Sequence, residues 1–242
     1  MKKYEAKDAV VAFIDILGSS KEMARDPQNA LNAVHNAYDD ALKIYNAMCK
    51  DHRDKVQIRI FSDNIVLSCL CDDIGFEKAL YLIVILSALI QEKLLHYSVL
   101  SRGGIARGDF FSDKVMIWGN ALVRAYNLES KIAIYPRIVI HPELIADTKY
   151  FLKKSNGDDD DLIEWIAQDQ DGLCYVDYFI DKFMKDPALL LITFMEDNER
   201  RKIDNLKDLK VMQKINWHGN YLHRKLVGLS SDDYARKEMS RV

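Results

Sequence analysis

The segment Ala9-Val10-Val11-Ala12-Phe13-Ile14 is apolar at every position and runs directly into Asp15-Ile16-Leu17-Gly18-Ser19-Ser20. A strand without polar alternation is buried on both faces, so it belongs at the centre of a sheet. It stops where an acid meets a Gly/Ser turn.

The remaining segments read as the layers around that strand. After Pro27, the apolar positions Leu31, Val34, Tyr38, Leu42, Tyr45 and Met48 repeat at helical spacing. Val56–Phe61 alternates with period two, Ser62-Asp63-Asn64 is turn chemistry, and Ile65–Leu70 is a second strand. This is a hairpin with an acid at its tip. A core helix is expected from about Ile74 to His96. Its most apolar run, Ala79 to Ile90, is only about 12 residues, too short to span a bilayer.

Ser98–Phe111 reads as a strand with Gly103, Gly104 and Gly108 set inside it, a mark of close backbone approach or a bulge. Trp118-Gly119-Asn120 opens a helical pattern through Ala121, Leu122, Ala125, Leu128 and Ile132, which Pro136 closes. Arg137–Ile140 is a short strand, and His141-Pro142-Glu143 begins another helix. The order β-α-β-β-α-β-α-β predicts an α+β fold: a mostly antiparallel sheet with helices packed on it. Beyond Lys149 the sequence predicts a polar acidic loop at Ser155–Asp161 and late strands at Leu173–Ile180 and Leu189–Phe194. Helices are expected at Asn198–Trp217 and Tyr221–Met239. The chain therefore divides into a main domain, 1–196, and a helical C-terminal tail, 197–242.

Composition narrows the function classes. With 49% hydrophobic and 29% charged residues, the 242-residue chain can bury its own core and is not a disordered protein. A net charge of -3 without any basic block argues against nucleic-acid binding. Cys49, Cys69, Cys71 and Cys174 form no disulfide framework, and the Cys69/Cys71 spacing fits neither a zinc knuckle nor a redox pair. They read as small buried hydrophobes. The start Met1-Lys2-Lys3-Tyr4 has no signal-peptide character, so a cytoplasmic protein with no membrane partner is expected. The six histidines show no ligand spacing.

Asp15 and Asp63 are the most informative pair of candidate functional residues. Each sits where an apolar strand enters a turn, a place suited to holding Mg²⁺ or Mn²⁺ against a polyphosphate, because such ions take few protein ligands. Gly18-Ser19-Ser20 offers free backbone N–H groups that suit phosphate. The plainer reading is that both acids cap turns.

Phe13-Ile14-Asp15-Ile16-Leu17-Gly18-Ser19-Ser20 resembles the first metal-binding segment of class III nucleotidyl cyclases. In that family an Asp and the next residue's carbonyl hold two ions. The resemblance implies Asp15 and the Ile16 backbone as metal ligands, with Phe13, Leu17, Gly18, Ser19 and Ser20 lining the substrate. Ile60-Phe61-Ser62-Asp63-Asn64 falls where the family places its second metal Asp, although Ser62 replaces the usual Gly. Arg102-Gly103-Gly104-Ile105-Ala106-Arg107-Gly108 is similar to the following Arg-x-Gly-Ile strand, and Arg102 matches a phosphate-contacting position. Trp118-Gly119-Asn120-Ala121-Leu122 through Leu128-Glu129 resembles the helix that ends the site. Together these motifs cover about residues 8 to 145. They imply a class III cyclase-like, ferredoxin-like palm sheet, two Mn²⁺ or Mg²⁺ ions per site, and a head-to-tail homodimer.

The departures from the family are informative. The two positions with which purine cyclases read the base fall on Arg59 and Met116; Arg only donates and Met offers little that is polar. Neither purine pattern is met. The set is most like the pyrimidine cyclases of bacterial Pycsar anti-phage systems, which make cyclic UMP or cyclic CMP for a separate effector. Arg59 favours the carbonyl edge of uracil, so UTP leads CTP, while Asn64, Asn120 and Asn127 are available to read cytosine. The family's catalytic Asn and Arg fall on Val123 and Asn127, which leaves Arg102, Arg107, Arg124 or Asn127 to stabilise the transition state. Tyr126 is placed to stack on a base or to pack. Two further readings share this scaffold: a purine cyclase with altered base contacts, and a silent nucleotide-binding module.

Overall fold

A computed structural model describes residues 4–18, 25–147, 162–181 and 184–239. Ser19 and Ser20, and the acidic loop Ser155–Asp161, lie outside the described residues. The chain divides into two compact units, Met1–Tyr178 and Phe179–Val242.

The first unit follows the expected order: β1 (Lys7–Ile16), α1 (Pro27–Met48), β2 (Val56–Phe61), β3 (Asn64–Leu70), α2 (Phe76–His96) and β4 (Ser101–Ser112). After these come β5 (Ile117–Trp118), α3 (Asn120–Asn127), β6 (Ile138–Ile140), α4 (Pro142–Asp147), β7 (Ile166–Gln168) and β8 (Cys174–Val176). The strands lie in the order β2-β3-β1-β4-β6-β8-β7, and β5 pairs with β4 as an arm. The first six elements therefore form a βαββαβ ferredoxin-like unit with strand order 2-3-1-4. All pairings are antiparallel except β4 with β6. The α+β expectation with a mostly antiparallel sheet is met.

β1 is central, as its composition demands. Ala9, Val11 and Phe13 join a core cluster with Ala121, Ala125 and Leu128 of α3 and its exit. Val10, Ala12 and Ile14 lie on the opposite face, where α2 packs on β1 and β3 and α1 packs on α2. α1 begins where Asp26 accepts the Asn29 N–H at 3.0 Å, with Pro27 at the first helical position. α2 is apolar almost all round. At 21 residues it is long enough to cross a membrane, so the length argument from its shorter apolar run does not hold. Its most apolar window is nevertheless 89% buried within the protein, which makes it the core helix expected. All four cysteines are free, and burial pushes the Cys69 and Cys71 thiols up to about 12.

Glycine lets α3 lie directly on β4. A Cβ on Gly104 would stand 2.4 Å from both the Ala125 carbonyl oxygen and the Leu128 Cβ. One on Gly108 would meet the Asn120 side chain at 2.0 Å. Close backbone approach, expected from glycines in this strand, is their role here.

The second unit is helical: α5 (Pro187–Asp204) and α6 (Leu209–Met239). Residue 197, where the sequence places the start of the tail, lies inside α5. Leu189–Phe194 is helix rather than strand, because Asp186 accepts the Leu189 N–H at 3.1 Å with Pro187 at the first helical position. A short apolar run has no periodicity to separate the two states, and the cap decides. The strand expected at Leu173–Ile180 shrinks to β8. The helix expected at Asn198–Trp217 is interrupted at 205–208, between α5 and α6, and from Leu209 it continues without a break through His218-Gly219-Asn220 into the one expected at Tyr221–Met239. Gly219 marks packing there, since a Cβ would stand 2.8 Å from Asn198 Nδ2.

That packing buries a histidine. His218 is 2% exposed, its Nδ1 bonds the Asn198 side-chain oxygen at 3.0 Å, and Asn198 Nδ2 donates to the Ile215 carbonyl. Burial, helped by the Arg201 charge, lowers its pKa to about 3. The folded state keeps this imidazole neutral, whereas the unfolded chain protonates it near pH 6.5. Stability from this group is thus complete above about pH 6.5 and is lost as pH falls toward 3. Between pH 7 and pH 5 the loss is about 2 kcal/mol. Denaturant unfolding of the helical unit at both pH values checks it, and His218→Asn should flatten the slope.

Candidate active site

The two acids predicted to act together lie at one end of the sheet. β1 and β3 pair so that Asp15 stands opposite Asn64, and on its other side Asp15 stands opposite Arg102 of β4. The Ile16 N–H donates to the Asp63 carbonyl at 3.0 Å, which closes the ladder beside the hairpin tip. Asn64 Nδ2 donates to Asp63 Oδ1 at 3.0 Å. Directly opposed residues share a face, so Asn64 draws the Asp63 carboxylate toward the face that carries Asp15. Both acids are half-buried.

The hairpin tip explains a departure noted in the sequence. Ser62 has φ +56°, a left-handed conformation that glycine adopts without steric cost. The turn keeps the geometry that Gly would favour and holds it with Ser. At the end of β1, the Leu17 N–H donates to the Leu100 carbonyl at 2.8 Å, and Gly18 turns the chain at φ +78°. Leu17 is half-buried and Gly18 exposed.

Arg102 ties Asp15 to the exit of α3. Its Nε donates to Asp15 Oδ2 at 3.2 Å, and its Nη2 meets Glu129 Oε1 at 2.6 Å. Glu129 lies in a wide π turn, Leu128–Ile132, that follows α3, and its side chain is only 4% exposed. Such turns often occur at functional sites. The sequence motif included Glu129 but gave it no role; a buried acid is visible only once the fold places it.

Two hard carboxylates at adjacent strand ends suit a divalent cation such as Mg²⁺ or Mn²⁺. The Ile16 backbone lies between them in the ladder. Among the described residues no group of three or more His, Cys, Asp or Glu side chains is arranged to hold a metal. A pair of carboxylates with a backbone carbonyl suits an ion that takes few protein ligands.

The two residues matched to base reading are also brought together. Arg59 Nη2 donates to the Asp113 carbonyl at 3.1 Å, while Asp113 Oδ1 accepts the Met116 N–H at 2.9 Å. Arg59 and Met116 thus share one turn at the tip of the β4–β5 arm. Gln57, Arg59 and Phe61 of β2 project on the Asp15 face of the sheet and are exposed there. Phe13, 8% exposed, meets Phe61 and Tyr126 edge-on, with ring centroids at 6.4 and 5.4 Å.

Arg124 does not reach the acids. Its guanidinium donates to the Arg107 carbonyl at 3.1 Å and pairs with Glu143 and His141. Arg107 lies five residues along β4 from Arg102, or about 17 Å at strand spacing. Its own guanidinium is held by Asp8 and lies over Phe76. Of the three arginines considered, Arg102 is the one at the site. Asn127 ends α3 half-buried, one turn beyond the exposed Val123 on the same helix face.

No protein-family model matches the chain, and a search of curated proteins finds no match. Solved structures similar to it include the adenylyl cyclase CyaB from P. aeruginosa, at 17% identity over 72% of this chain and 95% of that one, TM-score 0.49. The monomeric guanylyl cyclase domain of the RhoGC fusion protein from Blastocladiella emersonii matches at 16% identity over 71% and 96%, TM-score 0.47. The guanylate cyclase domain of RhGC from Catenaria anguillulae, in complex with GTP, matches at 15% over 73% and 98%, TM-score 0.46.

Proposed function

We propose that this chain is a divalent-metal-dependent nucleotidyl cyclase that converts UTP, or secondarily CTP, to the 3′,5′-cyclic monophosphate and pyrophosphate. The observation that carries the reading is that Asp15, opposite Asn64, and Asp63, whose carbonyl accepts the Ile16 N–H, lie at the adjoining ends of β1 and β3, with Arg102 opposite Asp15. Two ions, when bound, would lower the pKa of the ribose 3′-OH and neutralise the triphosphate. Asp15, Asp63 and the Ile16 carbonyl would hold them. Arg102 would turn its donors to the phosphates, and backbone N–H groups after Leu17 would bind there as well. The 3′ oxygen attacks the α-phosphorus in line and pyrophosphate leaves, so no protein nucleophile is required. Asn127 is the neutral donor left at the end of α3.

Arg59 and Met116 would meet the base. A guanidinium donates to uracil O4 or O2 and opposes the amino group of cytosine, which favours UTP. The reading includes a homodimer in which these residues face the partner's acids. Support comes from apolar side chains left exposed in a single chain: Phe61 and Tyr126 near the acids, and Val115, Met116 and Trp118 on the β4–β5 arm. The cyclic product would serve as a cytoplasmic alarm signal in anti-phage defence, read by a separate effector.

One assay tests the reading. The purified full chain is incubated with each of the four nucleoside triphosphates and Mn²⁺, and cyclic product and pyrophosphate are followed. Cyclic UMP or cyclic CMP is expected. Product from ATP or GTP alone would assign a purine cyclase. Tight nucleotide binding without product would assign a silent binding module, the reading that Val123 and Asn127 at the family's donor positions favour.

A further inference from the structure

We propose that Glu129 is a positioning residue that sets how far Arg102 neutralises Asp15, and so sets the affinity of the site for its cation. The inference rests on the cyclase reading of the two acids and adds a control element to it. Arg102 has one guanidinium and three demands on it: Asp15 Oδ2 at 3.2 Å, Glu129 Oε1 at 2.6 Å and the Ala133 carbonyl at 3.5 Å. The shortest contact goes to the more buried acid, with Glu129 4% exposed against 22% for Asp15. A buried carboxylate needs a charged partner more than a half-exposed one does. Glu129 therefore holds Arg102 back from Asp15.

The geometry fixes this division. The backbone of Glu129 lies against Gly104, where an added Cβ would stand 3.1 Å from the Glu129 nitrogen. Gly104 is two residues from Arg102 on the same face of β4. Glu129 is thus seated on the sheet beside the guanidinium. Without its charge, Arg102 would settle on Asp15 and compete with the cation for that carboxylate. With it, Arg102 stays anchored at one end while its Nε is released to phosphate.

The test is a double-mutant cycle on Mn²⁺ binding, read by the free-Mn²⁺ electron paramagnetic resonance signal of the full chain without nucleotide. Glu129→Gln is expected to weaken Mn²⁺ binding about tenfold, the scale of a charged hydrogen bond transferred to Asp15. In an Arg102→Gln background, which leaves no guanidinium to redirect, the same substitution should change binding by less than about twofold. Glu129→Asp, which keeps the charge, should recover most of the wild-type affinity. Equal losses in both backgrounds would mean that Glu129 acts on the ion directly or through the fold, and would overturn the proposal. No loss in the wild-type background would overturn it too. A wild-type chain that binds Mn²⁺ and makes product while the cycle fails rejects this inference alone. A wild-type chain that binds no Mn²⁺ overturns this inference, and one that also makes no cyclic product rejects the cyclase reading with it.

Discussion

Asp63→Ala is expected to lower cyclic-product formation by about a thousandfold or more while the protein stays folded. On the proposed reading, the carboxylate at this hairpin tip would help hold the ions that activate the attacking hydroxyl and neutralise the leaving group. Losing that charge stabilisation removes on the order of 4 kcal/mol of barrier lowering. The effect on folding should be small, because Asp63 is half-buried and in a turn. Its bond to Asn64 Nδ2 is lost, and the amide can turn to water. The measurement is turnover with Mn²⁺ beside a thermal melt of the same sample. A folded variant that keeps a tenth of the wild-type rate would remove Asp63 from the chemistry. Asp15→Ala is a poorer choice, since it also strips a partner from Arg102.

Gly104→Val should produce a large loss of stability. The added Cβ would stand 2.4 Å from a backbone carbonyl oxygen and from the Leu128 Cβ, and neither can rotate away. α3 would have to lift from β4, at a cost of about 3 kcal/mol or more. For a unit of this size that corresponds to roughly a 10 °C fall in melting temperature. Because Glu129 rests on the same glycine, residual folded protein should also lose metal affinity. Gly228→Ala is the control. Nothing lies within 4 Å of its Cβ position, and helix propensity predicts a gain of about 0.5–1 kcal/mol. A melting temperature for Gly104→Val within about 2 °C of wild type would mean that α3 is not tightly seated.

Local chemistry made most of the first unit legible. β1 was readable as a central strand because six consecutive apolar residues have no face to offer water. The Val56–Leu70 hairpin followed from period-two alternation around turn residues, and the glycines of β4 announced close approach before the neighbour was known. Where pattern is weak the outcome differed. Leu189–Phe194 is too short for period to separate helix from strand, and the Asp186 cap decided for helix. Gly219 read as a break because a glycine at a helix end and a glycine under a crossing side chain look alike in one dimension. Arg124 was placed beside the acids by its position in the motif, yet its partners Glu143 on α4 and the Arg107 carbonyl on β4 hold it elsewhere.

The amino-acid order alone determined the βαββαβ succession, the centrality of β1, and the placing of Asp15 and Asp63 where strands enter turns. These are local consequences of burial periodicity and turn stereochemistry. Only the folded chain decided that Asp15 faces Asn64 and Arg102 across two ladders, that Arg59 and Met116 share the Asp113 turn, and that Glu129 is buried against Arg102. Those pairings depend on strand register and on the depth to which α3 sinks onto Gly104. Both are set by packing between segments far apart in the chain, which no local pattern records.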